Sequence, residues 1–280
     1  MPSLIGIGPN GDLHFYGSCF IAHRHMAVTA RHVVDELIRQ DPSFATGYPK
    51  LEYWVLQTNR EQRAPKYVVW TIDSIATSPH SDIAIIWLKS WNDHAAEYDR
   101  WKVVPITFEI PREGEEILAF GIHGVSFEGS RTNDEGKVEH VEYKDSISIS
   151  RGTVKNVYWE GRDRGMYNFP CFEVNAKFEH GMSGGLILNM SSQVCGIVCG
   201  SLAAMSPEDS HVSYAAMLWP MMAIPLGDHL VVGGEPTKAY RLMRLAKDGI
   251  FRPKGWDRVL IEENDSVGMA PRISLRSDTR

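Results

Sequence analysis

Three short stretches hold the residue types needed for nucleophilic acyl transfer: Thr29-Ala30-Arg31-His32, Ser81-Asp82-Ile83-Ala84 and Gly181-Met182-Ser183-Gly184-Gly185. A serine hydroxyl is a poor nucleophile at neutral pH, so a neighbouring base must take its proton as it attacks a carbonyl carbon. Histidine suits that task because its ordinary pKa lies near 6.5. An aspartate fixes the imidazole tautomer and stabilises the transient imidazolium. The order His32, Asp82, Ser183 is one of the few in which such a constellation occurs. Each pattern alone is a weak signal; the three in this order are much stronger.

Charge also develops on the carbonyl oxygen during attack, and fixed N–H donors must meet it. Gly181 and Ser183 are the candidates, because a glycine at 181 can turn its N–H inward beside that of Ser183. Losing one such donor typically costs about 2.7–4 kcal/mol of barrier. Plainer readings compete: His32 as a core histidine, Asp82 as a strand-edge carboxylate, Ser183 as part of a structural turn. Asp73 is a poor substitute for Asp82 because it falls inside the preceding strand pattern. His23 and His25 stand at i and i+2, but a loop tip between strands explains them better than a metal site. No metal and no cofactor is expected.

These motifs resemble those of trypsin-like serine peptidases of the chymotrypsin fold, nearer the HtrA-like, intracellular branch than the secreted digestive enzymes, and without a PDZ domain. The resemblance is carried by Gly17-Ser18-Cys19-Phe20-Ile21, Ala27-Val28-Thr29-Ala30-Arg31-His32-Val33-Val34 and Ser81-Asp82-Ile83-Ala84-Ile85-Ile86. Later segments add Gly114-Glu115-Glu116-Ile117-Leu118-Ala119-Phe120-Gly121, Asn175-Ala176, the turn around Ser183, and Cys195-Gly196-Ile197-Val198-Cys199-Gly200. It covers roughly residues 1 to 225. It implies an all-β protein of two six-stranded antiparallel barrels with a short C-terminal helix. Residues 1–105 would supply His32 and Asp82, 106–230 would supply Ser183 and the oxyanion hole, and 231–280 would form a helix and polar tail. The implied activity is endopeptidase cleavage through an acyl-enzyme. A non-peptide ester or amide hydrolase and a silent binding module remain the alternatives.

Two departures stand out. Met182 takes the place of an aspartate that pairs with a newly cut N-terminus in activated secreted relatives, and Met1-Pro2-Ser3-Leu4-Ile5-Gly6 lacks their activation sequence. The implied specificity pocket is lined by Lys177, His180, Val198, Cys199, Gly200 and Ser201. Lys177 pointing inward would favour an acidic residue before the scissile bond. With its stem turned outward, the pocket is moderately apolar.

Composition fits a globular protein: 43% of residues are hydrophobic and 23% charged, enough apolar material for a sizeable core. A net charge of −6 gives no reason to propose a nucleic-acid partner. No stretch reaches the 18 or so apolar residues that span a bilayer, and no secretory leader is evident, so a cytoplasmic location is expected. Cys19, Cys171, Cys195 and Cys199 read as buried thiols. Cys195 and Cys199 would lie four apart on one strand, roughly 13 Å, too far to bridge.

Strand patterns run over 15–21, 26–30, 51–58, 67–75 and 83–87, with a helical turn from 30 to 37 that carries His32. The second half reads as strands over 116–120, 145–150, 152–158, 171–174, 184–189, 193–199 and 211–217. Residues 89–112 cross between the barrels. Gly124 to Lys144 reads as a long, mobile charged loop, and residues 250–280 as a basic, partly disordered tail; either offers a surface for a protein partner. A helix from Pro236 with Gly249 as its C-cap fits between.

Overall fold

The computed structural model describes residues 1–8, 12–46, 51–59, 66–90, 103–132, 138–202, 211–226, 241–262 and 271–276. The fold is all-β, built on two main antiparallel sheets. The first contains β1 (Pro2–Ile7), β2 (Leu13–Ser18), β3 (Phe20–His23), β4 (Met26–Thr29), β5 (Glu52–Asn59), β6 (Lys66–Thr77) and β7 (Ala84–Ser90). Their spatial order is β2-β1-β5-β6-β7-β4-β3. The end strands β2 and β3 are consecutive in sequence with only Cys19 between them, so the chain itself joins the two ends of the sheet. Helix α1 (Arg31–Gln40) follows β4 and turns Val33, Val34 and Leu37 into the core.

This sheet has seven strands where six are expected. The extra one is β1, whose residues are all buried. Leu4 packs into the main core while Ile5 and Ile7 join a second apolar cluster, so both faces are covered. A strand covered on both faces shows no alternation for a sequence pattern to catch.

The second sheet is a closed barrel of β8 (Glu116–Thr132), β9 (Val138–Tyr158), β10 (Cys171–Val174), β11 (Leu186–Asn189), β12 (Val194–Leu202) and β13 (Val212–Met217), in the order β10-β13-β12-β11-β8-β9. The stretch from Gly124 to Lys144 is not a loop: outside residues 133–137, which lie beyond the described residues, it forms the distal half of the β8–β9 hairpin. This arm is docked. Val125, Phe127 and Tyr143 pack with Ile5, Ile7, Trp54, Leu56 and Val69 of the first sheet. The alternate spacing of Val125 and Phe127 on β8 outweighs the glycines and charges that suggest a loop.

After β13, helix α2 (Leu242–Lys247) buries Leu242 and Ala246, and Gly249 follows it at φ +81°. The predicted start of that helix at Pro236 falls outside the described residues. Where a partly disordered tail is expected, the described residues contain the two-stranded ribbon β14 (Val259–Glu262) and β15 (Arg272–Leu275). Ile261, Ile273 and Leu275 pack against the core, which supplies the burial that orders it. All four cysteines are buried and unbridged. Among the described residues, no helix is long and apolar enough to cross a membrane.

Candidate active site

The N-terminus of α1 sets the first half of the site. Helix ends leave backbone N–H groups without partners, and the N-cap residue Ala30 has no side chain able to serve them. Asp82, in the turn before β7, supplies the missing acceptor. Its Oδ1 accepts the His32 backbone N–H at 2.9 Å, and its Oδ2 meets His32 Nδ1 at 2.7 Å. One carboxylate thus caps the helix and holds the imidazole. Because a carboxylate accepts, Nδ1 carries the proton and Nε2 is left as the basic nitrogen. Asp82 is 9% exposed, whereas the imidazole keeps 45% of its side-chain surface open. Burial pushes the His32 pKa down, but the hydrogen bond and charge of Asp82, with Asp35 adding, push it up further. It ends above its ordinary value.

The second half is the turn from Glu179 to Gly185. Gly181 has φ +92° and Gly184 φ +82°, both in the left-handed region. Met182 is fully buried, and its sulfur receives the Glu179 N–H at 3.2 Å while the Met182 N–H donates to the Glu179 carbonyl at 3.1 Å. A buried thioether therefore anchors this turn where secreted relatives are expected to use an ion pair. Among the described residues, neither the Gly181 nor the Ser183 N–H has a hydrogen-bond partner. Two free donors flank the serine.

The two halves meet on Ser18. Its N–H donates to the Ser183 carbonyl at 2.8 Å, and its hydroxyl donates to the Gly181 carbonyl at 2.9 Å while accepting the Ile122 N–H at 2.7 Å. Its own carbonyl takes the Thr29 hydroxyl at 2.7 Å. Gly184 presses against this junction: a Cβ there would lie 2.2 Å from both Ser18 O and Thr29 Oγ1 and 3.0 Å from the Ala30 nitrogen. The serine turn is therefore in contact with the residues that begin α1. Ser183 Oγ donates to the Cys199 carbonyl at 3.1 Å, and no hydrogen bond joins it to His32.

The predicted pocket residues take separate positions. Lys177 is half exposed and its ammonium pairs with Glu179 at 2.9 Å, so it already has a counter-charge. The His180 side chain is exposed. Val198 and Cys199 are buried in β12. Burial, then the charge of Asp82, push the Cys199 thiol far above its ordinary pKa and keep it neutral. The Ser201 hydroxyl donates to the Phe178 carbonyl at 2.9 Å and pairs with Ser213 Oγ at 2.6 Å, which ties β12 and β13 to residues 176–178. Gly200 faces Tyr167, whose hydroxyl lies 3.8 Å from where a glycine Cβ would stand. Ser18 and Tyr167 are missed as site residues by sequence reasoning. Ser18 lies within a quoted motif, but Tyr167 carries no local signal.

No curated protein matches the chain. Among solved structures, the active form of the Rv3671c protease from M. tuberculosis aligns at 14% identity over 86% of this chain and 84% of that one, with a TM-score of 0.48. The HtrA-type protease AlgW with a decapeptide aligns at 14% identity over 77% of this chain and 60% of that one, with a TM-score of 0.45. The family model of the trypsin-like peptidase domain matches residues 17–197, more than half of the chain. The chain belongs to the trypsin-like peptidase family.

Proposed function

We propose that the protein is a serine endopeptidase in which Ser183 is the nucleophile, His32 the general base and acid, and Asp82 the group that orients His32. The observation that carries this reading is the double hold of Asp82 on His32 beside a serine turn with two free N–H donors. Ser183 Oγ attacks the scissile carbonyl carbon as His32 Nε2 takes its proton, and the N–H groups of Gly181 and Ser183 receive the oxyanion. Collapse breaks the C–N bond, the proton on Nε2 passes to the leaving amine, and a water then releases the acyl group by the same steps. Residues 1–105 bring His32 and Asp82, residues 106–230 bring Ser183, and the described parts of 231–280 pack as an accessory segment.

The pocket wall of Val198, Cys199, Gly200 and Ser201 receives the side chain before the scissile bond, with His180 at its rim. Glu179 neutralises Lys177, so the pocket favours moderately apolar side chains over acidic ones. The unbridged cysteines support a reducing compartment.

The Ser183–Cys199 hydrogen bond favours a second reading, a silent binding module. Its magnitude decides against that. One such bond contributes about 0.5–1.5 kcal/mol, so rotating the hydroxyl toward His32 is cheap beside the barrier of the reaction. A fluorophosphonate probe tests the choice: stoichiometric labelling lost in Ser183→Ala supports a catalyst, and an unlabelled wild-type protein overturns it. Cleavage of an unfolded protein separates the peptidase from a hydrolase of small esters.

A further inference from the structure

We infer that His123 is a positioning residue for the oxyanion hole, a role that rests on the catalytic reading above. The peptide bond linking His180 to Gly181 is trans, as are all described peptide bonds. In a trans peptide the carbonyl oxygen and the N–H point in opposite directions. Whatever holds the His180 carbonyl therefore also aims the Gly181 N–H. That carbonyl is held by His123 Nδ1, at 3.0 Å.

The hold matters because this peptide is easy to turn over. Gly181 has no side chain to resist rotation, and its φ of +92° is one of several conformations open to glycine. Flipping the peptide would put the His180 carbonyl oxygen where the Gly181 N–H stands, replacing a donor with an acceptor. The neighbouring carbonyl of Gly181 is separately fixed by the Ser18 hydroxyl, which leaves the His180–Gly181 peptide dependent on His123.

The backbone around His123 is shaped to present it. The β8–β9 pairing runs in step to His123 opposite Ser146, then resumes at Ser126 opposite Lys144, one extra residue on β8. Such a bulge redirects the side chains beside it. Val125 in the bulge and Phe127 just beyond it pack with the first sheet, which fixes the arm from which His123 reaches. A carbonyl only accepts, so His123 must carry its proton on Nδ1.

Two measurements test this. The rate at which a fluorophosphonate labels Ser183 reads the hole without knowledge of the natural substrate, because its phosphoryl oxygen needs the same donors. His123→Leu should slow labelling by about 100-fold, the scale of one lost oxyanion donor. His123→Asn, which restores a side-chain N–H, should recover most of the rate. Equal labelling of His123→Leu and a wild type that does react overturns the role of His123 alone, whereas an unreactive wild type overturns the catalytic reading. Nitrogen-15 imidazole spectra of the wild-type protein, assigned by the signal missing in His123→Asn, should show neutral His123 protonated at Nδ1. A proton at Nε2 contradicts the inference even if the leucine variant fails to fold.

Discussion

The two halves of the site are held by opposite means. His32 and Asp82 stand on elements attached to the same sheet, α1 after β4 and the turn before β7, and their geometry follows from capping a helix whose own N-cap residue, Ala30, has nothing to offer. The Ser183 turn instead takes its fixing contacts from outside its own strands: Ser18 from the first sheet, His123 from the hairpin, Cys199 from the neighbouring strand. The proposed acid–base pair is a local product of folding one sheet and its attached helix. The turn of the proposed nucleophile draws on both sheets: His123 and Cys199 belong to its own barrel, and Ser18 reaches it from the first sheet. Damage to the first half should therefore show as altered proton chemistry, and damage to the second as lost alignment.

The largest expected effect comes from removing either partner of the proton transfer. Ser183→Ala and His32→Ala should each lower kcat by about 10⁶-fold, and the double variant should be scarcely worse, because the residues act as a unit. Turnover of a fluorogenic peptide pool by the three variants measures this. Additive losses would show that the two halves work independently.

Asp82→Asn should come next, at about 10⁴-fold in kcat, because an amide facing Nδ1 selects the wrong imidazole tautomer. It should also move the pH profile. The base must be neutral, so activity falls as pH drops through the His32 pKa, which lies above its ordinary value. In the wild type the acid limb should therefore lie above pH 6.5, the ordinary value. With Asp82 neutralised, the depressing effect of burial remains and the limb should move to lower pH. Stability runs the other way. A raised folded-state pKa favours the protonated fold, so this contribution is present below the unfolded-state pKa and is lost as pH rises through the folded one. A limb that stays in place in Asp82→Asn would show that Asp82 does not set the His32 pKa.

The junction between halves is tested by a pair of glycines with nearly the same φ. Gly184 and Gly114 have φ of +82° and +83°. An added Cβ at Gly184 would stand 2.2 Å from two oxygens, whereas at Gly114 nothing lies within 4 Å. Both alanine variants incur the left-handed penalty of about 1–2 kcal/mol. Only Gly184→Ala adds overpacking, about 1–3 kcal/mol more, at the contact that brings the serine turn to α1. Chemical denaturation should separate the two, and Gly184→Ala should also lose activity. Equal midpoints and equal activity would mean that the seam yields readily.

Much of this architecture is legible in the chain because it is local. His32, Asp82 and Ser183 stand in short motifs, β7 follows from the apolar run over 83–87, and the four cysteines read correctly as unbridged. What escapes is decided by partners distant in sequence. Strand β1 shows no alternation because clusters from both sides cover it. The arm beyond Gly124 reads as a loop until Val125 and Phe127 find Ile5 and Trp54. Ser18 gains its importance from Gly181, 163 residues away, and His123 from His180, 57 residues away. No pattern in one sequence announces either contact.

Lys177 should have the smallest effect, and its size discriminates between two pockets. An inward-facing, desolvated ammonium that recognises a substrate carboxylate would make Lys177→Met a loss of 10²-fold or more on such substrates, since breaking a buried pair costs about 3–5 kcal/mol. The structure instead leaves Lys177 half exposed and paired with Glu179. Exposed pairs are worth about 0–1 kcal/mol, so the ratio of cleavage rates for peptides with Glu and with Leu before the scissile bond should change by less than about fivefold. A larger shift confined to the Glu peptide would place the ammonium in the pocket during turnover, and would mean that Lys177 leaves Glu179 when substrate binds.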